Sequence, residues 1–313
     1  MPPKVSVIVP NYNHARFLRQ RLDSIFNQTF QDFEVIILDD CSTDNSKEVI
    51  EEYRNRSQVS HIVYNETNSG SPFKQWAKGF DLAQGEYIWI AESDDWAELI
   101  FLEELVPKLI DEKIALAFCN SKLIYPNKTD VDIKDVYEDI LYEGQWLIRN
   151  KMSSSNYILN ASSVLFKKCC LDKISKTYQS FLSSGDWLFW IEICQCGDVF
   201  FSSKMLNYNN RHGYNTTSLW GNRMITGVAH LEDIQIFSFL LKHKYISFFQ
   251  KNVIIQNHLE WFDQNKDRYV SKQVYQDVRD AWRKEIFSEF LSKIIITMGV
   301  IVYKILLLFK LKK

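Results

Sequence analysis

Three polar groups stand directly after apolar runs in the first third of the chain. They are Pro10-Asn11-Tyr12-Asn13 after VSVIV, Asp39-Asp40 after FEVIIL, and Glu92-Ser93-Asp94-Asp95 after EYIWIA. Carboxylates gathered at one edge repel one another unless a positive charge joins them. Hard divalent cations such as Mg2+ or Mn2+ take oxygen ligands and leave coordination places open for substrate phosphates. The pattern therefore points to a site for a metal ion and a diphosphate. A single Asp in such a place also serves as a turn or capping residue; the recurrence at three strand ends is what argues for a shared site.

The elements that must hold these groups follow from periodicity. VSVIVP from Val5, FEVIILDD from Phe33 to Asp40, HIVYNE, and EYIWIAESDD read as four strands. Between them, Asn13 is placed to cap a helix whose apolar residues are Phe17, Leu18, Leu22, Ile25 and Phe26. The turn Cys41-Ser42-Thr43-Asp44 leads into SKEVIEEYRNR, and a third helix runs through Trp76 and Leu82 towards Gly85. Alternating strands and helices predict an α/β, doubly wound, mostly parallel sheet, in which ligands bind beyond the carboxyl ends of the strands.

Further on come a helix near Leu99 to Leu109, a strand IALAFCNSKLIY and a polar surface excursion from Asn127 to Asp139. A helix DWLFWIEICQCG from Asp186, a strand VFFSSKMLNYNN and then Arg211-His212-Gly213 follow. From about Thr226 the pattern is helical and rich in aromatics. We expect residues 1–225 to form the catalytic domain, with 1–110 the nucleotide-binding half and 111–225 the acceptor-binding half, and 226–313 to form a helical C-terminal region.

With 46% hydrophobic residues the 313-residue chain can bury a sizeable core, and a formal net charge of -2 supplies no general basic field for nucleic acid. The six cysteines lack the paired two-residue spacing of a structural zinc site and read as reduced, mostly buried side chains. His14, His61, His230, His243 and His258 show no metal-ligand spacing and read as structural or surface histidines. Neither G-x-G-x-x-G nor G-x-x-x-x-G-K-[ST] follows a strand, which weakens dehydrogenase and P-loop readings. The N-terminal MPPKVSVIVP lacks the apolar stretch of a secretory signal, so the catalytic part is expected in the cytoplasm.

Taken in order over roughly residues 4 to 215, the segments VSVIVPNYN, IILDDCSTDNS, NSG before a helix, GEYIWIAESDDW and SGDW resemble glycosyltransferase family 2, inverting enzymes of the GT-A fold. The resemblance implies that Pro10, Tyr12 and Asp39 hold the base of a UDP- or dTDP-sugar, in a nucleotide-binding set that also takes in Asn13, Asp40, Lys74 and Glu92. It implies that Asp94 ligates Mg2+ or Mn2+ and that Glu92 faces the ribose or a metal-bound water. Asp95 and Trp187 then lie near the donor sugar or acceptor, Asp186 is the catalytic base, and Arg211 and His212 reach the diphosphate. Glu92 stands where the family more often has Asp, and SPFKQWAKG replaces the commoner small-residue and arginine run, leaving Lys74 or Lys78 to serve the arginine's purpose. Two alternatives differ in class: a nucleotidyltransferase that makes the sugar nucleotide, and a non-catalytic nucleotide-sugar-binding subunit of a glycan assembly complex.

The last segment, SKIIITMGVIVYKILLLFKLKK, is the most apolar part of the chain. A helix from Ile294 to Phe309 spans about 24 Å, short of a hydrocarbon core of about 30 Å, and Lys304 interrupts it. We expect an interfacial helix whose lysines meet anionic lipid on the cytoplasmic face of the plasma membrane, or a helix docked on protein. Membrane contact suits the resemblance, which implies a lipid-linked or surface glycan as acceptor.

Overall fold

The computed structural model describes residues 2–126, 128–133, 136–212 and 222–286. Two compact units emerge, Met1–Leu219 and Trp220–Lys313. The first contains β1 (Val5–Asn11), α1 (Ala15–Phe26), β2 (Phe33–Asp39), α2 (Ser46–Tyr53), β3 (Val59–Tyr64), α3 (Pro72–Leu82) and β4 (Tyr87–Ile90). These are followed by β5 (Trp96–Ala97), α4 (Phe101–Leu105), β6 (Ile114–Ile124), β7 (Val131–Asp132), β8 (Ile140–Tyr142), α5 (Gly144–Lys151), β9 (Val164–Lys167), α6 (Gly185–Cys194) and β10 (Asp198–Asn210).

The sheet runs in the order β3-β2-β1-β4-β9-β6-β10-β5, with β7 and β8 at its margins. The strands from β3 to β4 are parallel to their neighbours, and β9 is antiparallel to both β4 and β6. This is the α/β architecture expected from the sequence. Every residue of β1, β2 and β4 is buried, because helices cover both faces of a parallel sheet, and this is why those strands read as continuous apolar runs. On one face Leu18, Leu22, Ile25 and Phe26 of α1 pack with Val5, Val7, Val35 and Ile37. Burying each such side chain contributes about 1.5–3 kcal/mol.

Three local expectations change. The fourth strand stops at Ile90, so the acidic group lies in the turn beyond it; Ala91 N–H still donates to Ile8 O, and Asp95 N–H closes the turn on Glu92 O. The helix near Leu99 to Leu109 is α4 followed by a 3-10 turn from Val106 to Ile110, where Pro107 removes a helical donor. Asn13 does not cap α1. Its φ of 56° is left-handed, and its Oδ1 instead accepts from Thr43 N–H. The N-terminus of α1 is capped from a distance by Asp44, whose Oδ2 accepts from Ala15 N–H while Oδ1 accepts from Ser46 N–H at the start of α2. One carboxylate thus serves two helix starts.

The second unit packs α7 (Val228–Lys242), α8 (Phe248–Gln264) and α9 (Lys272–Glu285) around Phe237, Phe262 and Trp282. Ser247 and Gln250 form a reciprocal capping box on α8, and Trp282 donates its indole N–H to His230 O. All six cysteines are free, with Cys119, Cys170 and Cys194 buried and Cys169 exposed. Among the described residues no helix is long and apolar enough to cross a membrane. The expected segment Ile294 to Phe309 lies outside the described residues.

Candidate active site

Asp39 ends β2 and Asp40 directly follows it, both buried. Asp39 accepts from Asn11 Nδ2, from Ser42 Oγ and from Ser42 N–H, which ties the end of β1 to the loop after β2. Asp40 accepts from Asn65, from Ser69 N–H and Oγ, and from Gln75, so it gathers the loop between β3 and α3. Buried carboxylates with this many donors act first as organisers of the crevice wall. Tyr12, which directly follows β1, is 45% exposed, whereas Pro10 is buried within that strand. Lys74 donates to Ser69 O, and Lys78 to Asn65 Oδ1.

The three acids after β4 have three different environments. Trp76 of α3 donates its indole N–H to Glu92 Oε1 at 2.8 Å. Burial, with the adjacent Asp94 charge, pushes the Glu92 carboxyl up to about 8. The extra methylene relative to Asp is what carries this carboxylate to the indole. Asp95 is buried, and its oxygens accept from Asn160 Nδ2, Asn209 Nδ2 and Asn210 N–H. Burial and Asp94 raise it to about 6. It pins the acidic turn to the end of β10, because β5 pairs antiparallel with β10 immediately after it. Burial also acts to raise Asp94, but the hydrogen bond from His212 and the proximity of His14 outweigh it and hold that carboxyl below its ordinary value.

His212 is brought to Asp94 by the end of β10, with Nε2 3.0 Å from Oδ2 and its ring stacked on Phe17 at 4.2 Å. His14 reaches the same place from the start of α1, and its Nδ1 lies 2.8 Å from Ser93 Oγ. Burial keeps the His14 imidazole below its ordinary pKa, and so neutral near pH 7. Ligand atoms of His14, Asp94 and His212 lie within 4.8 Å of one another. That donor set fits a divalent cation, two imidazole nitrogens and a carboxylate being ordinary ligands for one. Arg211 precedes His212, its N–H donating to Ile124 O.

Beneath the cluster lies Arg21 of α1, fully buried, with its guanidinium 4.8 Å from the Trp89 ring and, among the described residues, no hydrogen-bond partner for its three nitrogens. Burial lowers it to about 10 against the opposing pull of Asp95, Glu92 and Asp94, so it remains a cation and the counter-charge of the acidic turn.

Asp186 opens α6. Its Oδ2 accepts from Asn156 Nδ2 and its Oδ1 from Trp187 N–H, which fixes the carboxylate at the helix N-terminus. Gly185 is needed here, since a Cβ would meet the Phe73 ring at 2.6 Å. Phe73 and Trp76 occupy the first turns of α3, so one short helix packs Phe73 against Gly185, the neighbour of Asp186, and bonds Glu92 through Trp76. Trp187 is buried and donates its indole N–H to Met152 O, as a packing residue does. A separate cavity of about 570 Å³ opens at the amino-terminal end of β4, lined by Phe80, Gly85, Lys168 and Tyr178, and it contains none of these groups.

His14, Trp76, Asn160 and Arg21 were not among the expected site residues. A signal existed for two of them. His14 directly follows the first strand-end group, and Arg21 is the charged residue on the apolar stripe of α1.

The mixed α/β sheet flanked by helices, with a carboxylate–imidazole cluster beyond its first and fourth strands, is the architecture of the GT-A fold. The profile of glycosyl transferase family 2 matches residues 6–162, and the chain belongs to that family. It is 32% identical over 130 residues, 42% of this chain and 51% of the relative, to TuaG of Bacillus subtilis (strain 168), which is named as a teichuronic acid biosynthesis glycosyltransferase. It is 40% identical over 95 residues, 30% of this chain and 16% of the relative, to the poly(ribitol-phosphate) beta-N-acetylglucosaminyltransferase TarS of Staphylococcus aureus (strain Mu50). The chain spans about half the length, or less, of these relatives. Residues 1–349 of S. aureus TarS, solved with UDP-GlcNAc, share the fold with a TM-score of 0.55 and 21% identity over 91% of this chain and 93% of that one.

Proposed function

We propose that this chain is a metal-dependent, inverting glycosyltransferase that moves a sugar from a UDP- or dTDP-activated donor to a hydroxyl of a cell-surface glycan. The observation that carries this reading is the presence of two kinds of acid, Asp94 beside the imidazoles of His14 and His212 in the turn beyond β4, and Asp186 held at a helix N-terminus. On this reading Asp186 takes the acceptor hydroxyl proton as that oxygen bonds to C1 of the sugar, while the bond from C1 to the diphosphate oxygen breaks and the nucleotide diphosphate departs. A divalent cation held by Asp94 and His212 would supply charge neutralisation for that leaving group. Tyr12 and Asp39 on the nucleotide side, and Arg211 beside His212, support a nucleotide-sugar as the ligand.

The relatives support a surface-polymer acceptor, since their names place them in teichuronic acid and poly(ribitol-phosphate) chemistry. The lysine-ended apolar C-terminal sequence supports work at a cytoplasmic membrane face. A panel of UDP- and dTDP-sugars, assayed for nucleotide diphosphate release with Mn2+ and with Mg2+, tests the proposal. Release from at least one donor is the expected result. Pyrophosphate release from UTP and a sugar 1-phosphate would instead establish the nucleotidyltransferase reading, and donor binding without turnover across acceptors would establish the non-catalytic one.

A further inference from the structure

The cation site has a feature that the acidic turn alone does not explain. Ser93, the residue between Glu92 and Asp94, is buried, and its hydroxyl lies against Nδ1 of His14 rather than towards Asp94. In the tautomer in which His14 Nδ1–H donates to the Ser93 hydroxyl oxygen, the ring is oriented and Nε2 is left as the lone-pair donor. Metal-ligating histidines are held in this way. His14 and His212 stand edge to face, with ring centroids 5.4 Å apart, so both rings flank Asp94.

We infer that His14, with Nδ1 tethered to Ser93, joins Asp94 and His212 as a third protein ligand and makes this a two-imidazole, one-carboxylate site selective for nitrogen-binding transition-metal cations over Mg2+. The inference rests on the metal dependence proposed above and narrows its cation class. Mg2+ prefers an all-oxygen octahedron and sheds water reluctantly, whereas two imidazoles favour the first-row transition series. The third ligand also comes from the loop between β1 and α1, so cation binding couples that loop, with Tyr12 on it, to the end of β10. Loading the site should therefore order the nucleotide side and the diphosphate side together.

The test uses the full-length protein stripped of metal, with UDP present and Mn2+ as the probe. Free Mn2+ is titrated by electron paramagnetic resonance in competition with Mg2+, and electron spin-echo modulation of bound Mn2+ counts directly coordinated nitrogens. The wild type is expected to bind Mn2+ at least about tenfold more tightly than Mg2+ and to show two coupled 14N nuclei. His14→Ala should show one, with Mn2+ affinity reduced about 10- to 100-fold and Mg2+ affinity little changed. Ser93→Ala should keep two couplings but bind Mn2+ more weakly, and His14→Asp should shift preference towards Mg2+. A single 14N coupling in the wild type, or an unaltered Mn2+ to Mg2+ ratio in a folded His14→Ala protein, would overturn the inference. Because metal binding is read without turnover, failure here leaves sugar transfer standing, and absence of transfer leaves the ligand count standing.

Discussion

Replacing Glu92 by Gln isolates the cost of a carboxyl group kept where a charge is unwelcome. In the metal-free protein desolvation and the adjacent Asp94 charge push the half-buried Glu92 carboxyl up to about 8 from an ordinary value of 4.5. The folded state therefore binds the proton more tightly than the unfolded chain. Stability from this group is fully present below pH 4.5 and is lost as pH rises through about 8. At pH 7 the unfolded chain has released the proton and the folded one largely retains it, which costs about 3 kcal/mol relative to a permanently neutral side chain. Gln keeps an oxygen to accept from the Trp76 indole N–H and cannot ionise. Glu92→Gln should therefore stabilise the metal-free protein by up to about 3 kcal/mol at pH 7, a rise of roughly 6–12 °C in the midpoint for a unit of this size. The gap should be small at pH 5 and widen towards pH 8. Melting curves of wild type and variant at pH 5, 6, 7 and 8 in chelator, followed by tryptophan fluorescence, measure it directly. A variant no more stable than wild type at pH 8, or a gap that does not change with pH, would refute the assignment of Glu92 as a proton-holding acid.

Two further outcomes follow from the same kind of reasoning. Asp186→Asn should lower kcat for transfer by about 100- to 10,000-fold while leaving the donor Kd within about twofold, as expected of a general base on the acceptor side; equal losses in both would indicate a structural role instead. In the second unit, burial holds His230 down to about 4 and also lowers His258. A depressed histidine contributes stability that is present above about pH 6.5 and lost as pH falls towards 4, so amide-exchange protection of α7 and α8, corrected for intrinsic rates, should fall between pH 7 and pH 5. His230→Gln should flatten that dependence, and an unchanged pH profile would contradict it.

Much of the frame could be read from the residues because burial on both faces writes itself as unbroken apolar runs, as in β1 and β2. The acidic turn is equally visible, yet only the family resemblance, and nothing in the local spacing, distinguishes its three carboxylates. Their roles separate only when distant residues arrive: Trp76 on Glu92, His212 on Asp94, and Asn160 with Asn209 on Asp95. Local spacing rules pass over His14 because its cluster partners Asp94 and His212 lie 80 and 198 positions away along the chain. Asn13 failed as a cap for a related reason. Its left-handed backbone serves the loop after β2, while Asp44 from that loop caps α1 in its place.

On the proposed function, Asp94 is the carboxylate through which a cation-dependent donor site works. Nucleotide diphosphate release from the best UDP- or dTDP-sugar, measured over a Mn2+ titration for wild type and Asp94→Ala, tests it most directly. Metal-stimulated release by the wild type, and a loss of at least about 100-fold in the variant at every Mn2+ concentration, is the expected result. An Asp94→Ala protein that turns over donor as well as wild type would contradict the account.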